Sequence, residues 1–250
     1  MDLNLSGKRA LVAGASAGLG LGCAKALAAE GATVAIGSRD PDRVAAAAAS
    51  ITADGGSAVG LVGDVSTTDG AVGFVNDGID ALGGIDILIA NAGGPPLGNF
   101  ASTELEAYAE AVNLSLLSTV AMVHTAVPVM TEQGWGRIVA ITSVSVRQPM
   151  ANIILSNTAR AGVTGFLKTV ATEVAGSGIT INTLQPGSHK TARLIGAGAD
   201  LDAVAARTPT GTVGDPDDFG RVAAFLCSDA AKFITGASIP VDGGAYAGLQ

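Results

Sequence analysis

Cysteine, aromatic side chains and charge are all scarce in this chain. Two cysteines among 250 residues are too few for a disulfide framework or a cysteine-built zinc site. Cys23 and Cys227 read instead as small buried hydrophobes, and no metal site is expected. Charged residues make up 14% of the chain, and 22 acids against 14 bases leave a formal charge of −8. That balance lacks the basic footprint that nucleic-acid binding requires. No uninterrupted apolar run reaches about 18 residues, so no membrane-spanning helix is expected. The amino-terminal MDLNLSGKRA lacks a basic stretch followed by an apolar one, so no secretory leader is expected and a cytoplasmic protein is.

What the chain does have is apolar mass and glycine: 48% hydrophobic residues and 35 glycines against 4% aromatics. Such a mixture favours close approach of backbones, in tight turns and in helices packed hard on a sheet. Short apolar runs occur at 9–13, 33–36, 58–62, 85–90, 137–142, 179–184 and 237–241. Rich in Val and Ile and without strict alternation, they suit strands buried on both faces. Helical patterns fill the intervals, at 18–29, 41–53, 67–82, 104–131, 152–176 and 215–228. Leu19, Cys23 and Leu27 fall on one face of the first. Asp40-Pro41 and Asp215-Pro216 each read as an N-cap followed by proline at the first helical position. Strand–helix alternation predicts an α/β fold: a Rossmann-type, doubly wound parallel sheet with helices on both faces. Nothing divides the chain, so residues 1–250 are expected to form one domain. The segment 186–214 reads as one long irregular loop, a candidate lid over a substrate site.

The first predicted strand runs into Ala13-Gly14-Ala15-Ser16-Ala17-Gly18-Leu19-Gly20. Glycines at this spacing permit a sharp turn, let backbone N–H groups approach a pyrophosphate, and let the next helix pack closely. The helix N-terminus adds partial positive charge. Gly14, Ser16, Gly18, Leu19 and Gly20 are therefore candidate dinucleotide-binding residues. At the end of the second strand, an acidic side chain would favour NAD. The chain reads Gly37-Ser38-Arg39-Asp40 there. Ser38 and Arg39 suit a 2′-phosphate, and Asp40 is placed as a helix cap, so NADP is expected in preference to NAD.

Further motifs follow in order. Asp64-Val65 succeeds the third strand, Asn91-Ala92-Gly93 the fourth and Ser143 the fifth. Asn113 lies in a long helix, Pro186-Gly187 with Thr191 follows the sixth strand, and Val241-Asp242-Gly243-Gly244 closes the seventh. With the glycine loop, this series resembles the short-chain dehydrogenase/reductase family over essentially the whole chain. The resemblance implies that Asp64, Val65, Asn91, Ala92, Gly93, Pro186, Gly187 and Thr191 contact a nicotinamide dinucleotide. It also implies that Asn113 and Ser143 are catalytic. At the place of the family's Tyr-x-x-x-Lys pair the chain reads Ser156-Asn157-Thr158-Ala159-Arg160, similar to a divergent branch labelled as related to 3-oxoacyl-carrier-protein reductases. Ser156 and Arg160 are thus the remaining catalytic candidates, with Arg160 also expected on the nicotinamide ribose.

The replacement has a chemical cost. A phenol polarised by lysine is a usable proton donor near neutral pH, whereas a serine hydroxyl is a far weaker acid and arginine holds its proton. His189 follows Pro186-Gly187 and has a suitable ordinary pKa, although a solvent-facing loop histidine is the plainer reading. Tyr108 and Tyr246 read as packing aromatics, Lys190 as a solvated charge and His124 as a surface or interface side chain. Ile153, Ile154, Leu155, Leu194 and Ile195 hint at an apolar pocket. The sequence therefore predicts an NADP(H)-dependent oxidoreductase for a small carbonyl or alcohol substrate, 3-oxoacyl-like compounds included, acting as a homodimer or homotetramer. The alternative is a dinucleotide-binding protein without net redox turnover: a lyase-like enzyme, a sensor or an assembly subunit.

Overall fold

The computed structural model describes residues 2–249. Among them, seven parallel strands form one sheet in the order β3-β2-β1-β4-β5-β6-β7. The strands are β1 (Arg9–Val12), β2 (Thr33–Ser38), β3 (Ser57–Val62), β4 (Ile87–Ala90), β5 (Gly136–Ile141), β6 (Ile179–Pro186) and β7 (Ser238–Val241). Leu11 of β1 pairs with Ala35 of β2 on one side and Leu88 of β4 on the other. Successive strand residues point to opposite faces, so the inner strands feed two cores, whereas the edge strands β3 and β7 are only partly covered, against the expectation of burial on both faces. Ala10, Val12, Ile36 and Val139 enter one, whereas Leu11, Ala35, Leu88 and Ile138 enter the other.

The first core is covered by α1 (Gly18–Ala29), α2 (Pro41–Ala53) and α9 (Pro216–Cys227), through Cys23, Leu27, Ile51 and Phe219. The second is covered by α3 (Thr68–Leu82), α5 (Ser118–Gln133) and α6 (Ile154–Val174), through Phe74, Met122, Met130 and Leu167. Both predicted aspartate caps form. Asp40 accepts from the N–H groups of Asp42 and Arg43 at 3.0 Å each, and Asp215 accepts from Asp217 at 2.7 Å. Each satisfies donors that the helix itself leaves free.

Two predicted segments differ. The single helix expected at 104–131 is instead α4 (Glu106–Val112) and α5, joined by a π-helical turn at Asn113–Leu117. Hydrophobic periodicity does not register a one-turn change in backbone pitch, and such π turns cluster at functional sites. The stretch 186–214 is not irregular throughout: it contains α7 (Ala192–Gly196) and α8 (Leu201–Arg207). Thr191 and Asp200 cap these helices, which are too short to show an amphipathic period. Moreover, the Glu106–Gln133 segment reaches the length and mean hydropathy, 1.5, of a membrane span, which the search for uninterrupted apolar runs missed. Its Met122, Val123, Ala126 and Met130 are buried against the sheet.

The strand order reverses between β1 and β4, and in open α/β sheets ligands settle beyond the carboxyl ends of the strands at that switch point. The glycine loop, Asn91, Ser143 and Pro186 follow or end β1, β4, β5 and β6, so one crevice receives all of them. α1 and α9 cross beside it at Gly22 and Gly220. A Cβ on Gly22 would collide with the Pro216 carbonyl, and one on Gly220 with the Gly22 carbonyl. Gly220→Ala is therefore expected to cost ~1–3 kcal/mol of stability through overpacking, read by urea denaturation. The α3 position Gly73 meets no heavy atom within 4 Å. Gly73→Ala should leave stability unchanged or raise it by about 0.5–1 kcal/mol through helix propensity.

Candidate active site

The glycine loop is held from both sides. Ala13 N–H donates to Ile89 at 3.1 Å and Ala15 N–H to Gly37 at 2.9 Å. The Asn91 amide donates to the carbonyls of Ala13 at 3.3 Å and Gly14 at 3.0 Å. Gly14 adopts φ +57, and a Cβ on Gly20 would strike the Gly14 carbonyl. Ala17 at the N-cap of α1 supplies no side-chain hydrogen bond, so the first-turn N–H groups remain available to an anion. Ser16, Ala17, Gly18, Leu19 and Gly20 line the crevice. A narrow glycine turn below an uncapped helix N-terminus fits a dinucleotide pyrophosphate.

On one side of this turn lies a cavity of about 840 Å³, lined by Ser38, Arg39, Arg43, Asp64, Val65, Ala92 and Gly93 among others. Ser38 Oγ accepts from the Asp40 N–H at 3.3 Å. Arg39 stands 4.0 Å from Asp64 with 74% of its side chain exposed. Partial burial favours the neutral form of Asp64, but hydrogen bonds from Ser66 and the charge of Arg39 outweigh it and hold the carboxyl below its ordinary value. Arg43, which the sequence reading missed, lines both cavities. The Asp40-Pro41 start signal placed it in the first turn of α2 and was the available clue.

On the other side lies a cavity of about 690 Å³, where Ser143, Ser156 and Arg160 meet Gly93, Pro186, Gly187 and Thr191. Ser143 caps a short turn, its Oγ accepting from the Ser145 N–H at 3.1 Å. Ser156 is buried one helical turn before Arg160 on α6. Arg160 Nη1 donates to the carbonyls of Ile141 at 2.7 Å and Thr142 at 3.1 Å. Its guanidinium thus grips the backbone immediately before Ser143. Burial, aided by the charge of Arg193, pulls Arg160 down to about 10. Asn113 departs from this group: it is exposed at the π turn and lines the first cavity.

Among the apolar candidates, Ile153 and Leu194 line the second cavity with Leu97 and Met150, which the sequence reading did not single out. Ile154, Leu155 and Ile195 do not line it. Tyr246 does, placed by its N–H bond to Asp242 at 2.8 Å. Tyr108 and Lys190 lie outside both cavities, and His124 is exposed on α5.

His189 corrects the solvent-facing expectation: it is buried, edge-on to Phe219 with ring centroids 5.2 Å apart. Its Nδ1 lies 3.2 Å from the Gly187 carbonyl. The backbone bridge between His189 and Gly214 turns the ring inward. Burial pushes its pKa below the usual imidazole value, against the opposing pull of Gly187, Asp215 and Asp242. The unfolded chain therefore binds this proton more readily, so the group's contribution to stability is present above about pH 6.5 and is lost as pH falls. Unfolding free energy should drop between about pH 7 and pH 5 in the native protein, and less steeply in His189→Gln. Parallel slopes in denaturant titrations of the two proteins would contradict this.

Comparison with known proteins agrees with this architecture. Residues 14–246 match the family model described as Enoyl-(Acyl carrier protein) reductase. An L-rhamnose 1-dehydrogenase (NAD(P)(+)) from Azotobacter vinelandii is 34% identical over 97% of this chain and 98% of its own length. A 2,5-dichloro-2,5-cyclohexadiene-1,4-diol dehydrogenase from Sphingobium indicum is 32% identical over the full length of both. The L-sorbose reductase of Gluconobacter frateurii, solved with NADPH and L-sorbose, superimposes with a TM-score of 0.95 at 31% identity and full coverage of both chains. The order of its motifs, the strand order and these full-length likenesses agree: the chain belongs to the short-chain dehydrogenase/reductase family.

Proposed function

We propose that this protein is an NADP(H)-dependent oxidoreductase acting on a carbonyl/alcohol pair. The observation that carries the reading is the joining of two features in one crevice: the uncapped glycine turn of α1 and the cluster of Ser143, Ser156 and Arg160. When bound, NADPH supplies a hydride to a carbonyl carbon, or accepts one in the reverse direction. Ser16 and the α1 N–H groups hold the pyrophosphate. Ser38, Arg39 and Arg43 surround the place of a 2′-phosphate. Pro186, Gly187 and Thr191 border the nicotinamide end.

The chain's own chemistry centres on the substrate oxygen. Ser143 and Ser156 donate hydrogen bonds to it as negative charge develops there. Arg160 holds the ribose and, through the carbonyls of Ile141 and Thr142, fixes the strand end that carries Ser143. Its positive charge favours the developing oxyanion without delivering a proton. A solvent proton, relayed through water past the two serines, would convert the alkoxide to the alcohol. Asn113 supports the π turn beside the coenzyme.

A second reading, favoured by the serine and arginine in place of tyrosine and lysine, is coenzyme binding without net turnover. The proposal also takes the protein to be a cytoplasmic homodimer or homotetramer.

Incubation with 4-deuterated NADPH and a broad ketone panel separates the two readings. Deuterium is expected in an alcohol product, detected by mass spectrometry, whereas saturating coenzyme binding with no label in any product would leave the non-redox reading. For coenzyme choice, Arg39→Asp should weaken NADPH binding by roughly ten- to a hundredfold, the loss of a charge-assisted phosphate contact of about 1.5–3 kcal/mol. NADH binding, followed by the same fluorescence titration, should not fall with it.

A further inference from the structure

The two cavities differ in charge. The first includes Asp40, Asp64 and Glu110 among its lining residues. The second is lined by Arg43, Arg160 and Arg193 and by no aspartate or glutamate, in a chain where acids outnumber bases by 22 to 14. Among the described residues, neither Arg160 nor Arg193 forms an ion pair. Arg193 projects from α7, its Nη1 donating to the Gly94 carbonyl at 3.0 Å and its Nη2 to Pro95 at 2.9 Å. The Nε atoms of both arginines, and Nη2 of Arg160, donate to no protein acceptor. The two guanidinium groups are close enough for Arg193 to disfavour the charge on Arg160. Two cations lining one cavity without a counter-charge disfavour each other until an anion joins them.

The pyrophosphate does not need this pair, because Ser16 and the open N-terminus of α1 already face it. Arg160 is committed to β5 and the ribose. Arg193 is the freer of the two: it is exposed, on a five-residue helix, and held only by neutral carbonyls. A guanidinium exchanges such partners readily for a carboxylate, which matches its donor fork. Around it, Leu97, Met150, Ile153 and Leu194 offer apolar wall.

Resting on the oxidoreductase reading, we propose that the substrate is a keto-carboxylate, or the corresponding hydroxy acid, with an apolar chain. Its carboxylate is bound by Arg193 while its reacting oxygen faces Ser143 and Ser156. Arg193 is then a specificity-determining residue.

The test compares 2-oxooctanoate and 4-oxooctanoate with their methyl esters, in the native protein and in Arg193→Gln and Arg193→Lys. The acids are expected to exceed the esters in kcat/KM by at least about tenfold, the scale of one charge-assisted contact. Arg193→Gln should bring that ratio near unity, and Arg193→Lys, which keeps charge without the fork, should fall between. NADPH affinity, read by fluorescence, should stay within about twofold of native, since the pyrophosphate is held elsewhere. Esters used as well as acids by the native protein would overturn the proposal. So would a loss of NADPH affinity in Arg193→Gln equal to the loss of keto-acid activity, which would assign Arg193 to a coenzyme phosphate. A binding arm covers the case of no turnover: octanoate, but not octanamide, should raise the melting temperature of the NADPH-saturated native protein and not of Arg193→Gln. Turnover absent with that shift present would sink the redox reading alone; no shift with octanoate would sink the anion site.

Discussion

The Asn91 amide, reaching from the end of β4 to the carbonyls of Ala13 and Gly14, fixes the turn on which the rest of the crevice depends. Parallel pairing brings the ends of β1 and β4 side by side, but it leaves the first carbonyls beyond β1 without ladder partners. A side chain supplies them. With those carbonyls drawn toward Asn91, the chain turns through Gly14 and enters α1 close enough to the sheet that Gly20 has no space for a Cβ. The N–H groups at the start of α1 then face the crevice without a capping side chain. A serine or aspartate at Ala17 would satisfy those donors internally and compete with any phosphate. Alanine there sacrifices a little helix stability and keeps the donors free.

The same logic explains what the chain preserved where it departs from the family's Tyr-x-x-x-Lys. Ser156 and Arg160 are one turn apart on α6, so both side chains reach one cavity. Arginine is long and multidentate, and it uses that reach on the carbonyls of Ile141 and Thr142. Arginine keeps the positive charge that lysine would carry, while a serine hydroxyl is a far weaker acid than a phenol. His189 lines the same cavity, where burial against Phe219 disfavours its charged form and Nδ1 lies against the Gly187 carbonyl. On the proposed reading, the site relies on hydrogen bonding, fixed positive charge and water.

Much of this was legible in the residues. Asp40-Pro41 and Asp215-Pro216 announced their helices because capping is local chemistry, written in adjacent residues. Strands β1, β2, β4, β5 and β6 were legible because burial on both faces demands unbroken apolar runs, whereas the edge strands β3 and β7 kept apolar runs while only partly covered. The π turn at Asn113 was not legible, since one extra residue in a turn barely shifts the hydrophobic period. α7 and α8 were hidden in a Gly- and Ala-rich stretch by their shortness. His189 was misread because its burial depends on a bridge to Gly214, a contact across a loop that no local pattern records. Arg43 and Arg193 were missed for a related reason: each gains meaning only from the cavity that distant segments enclose around it.

α7 links the glycine turn to the loop beyond β4. Thr191, which caps it, sits against Gly18: a Cβ on Gly18 would lie 3.3 Å from Thr191 Cγ2. Two residues on, Arg193 reaches the carbonyls of Gly94 and Pro95 beyond β4. The first turn of this short helix therefore touches both the glycine turn and the loop bordering the second cavity. The contacts holding it are few and polar, and most of its residues are exposed. Such an element opens at lower free energy than the buried strands beneath it. On the proposed reading, the rigid strand ends set the geometry of the reacting atoms, while the covering element carries the charge that meets the substrate. That division lets recognition change by substitution on α7 without disturbing the Asn91-held turn.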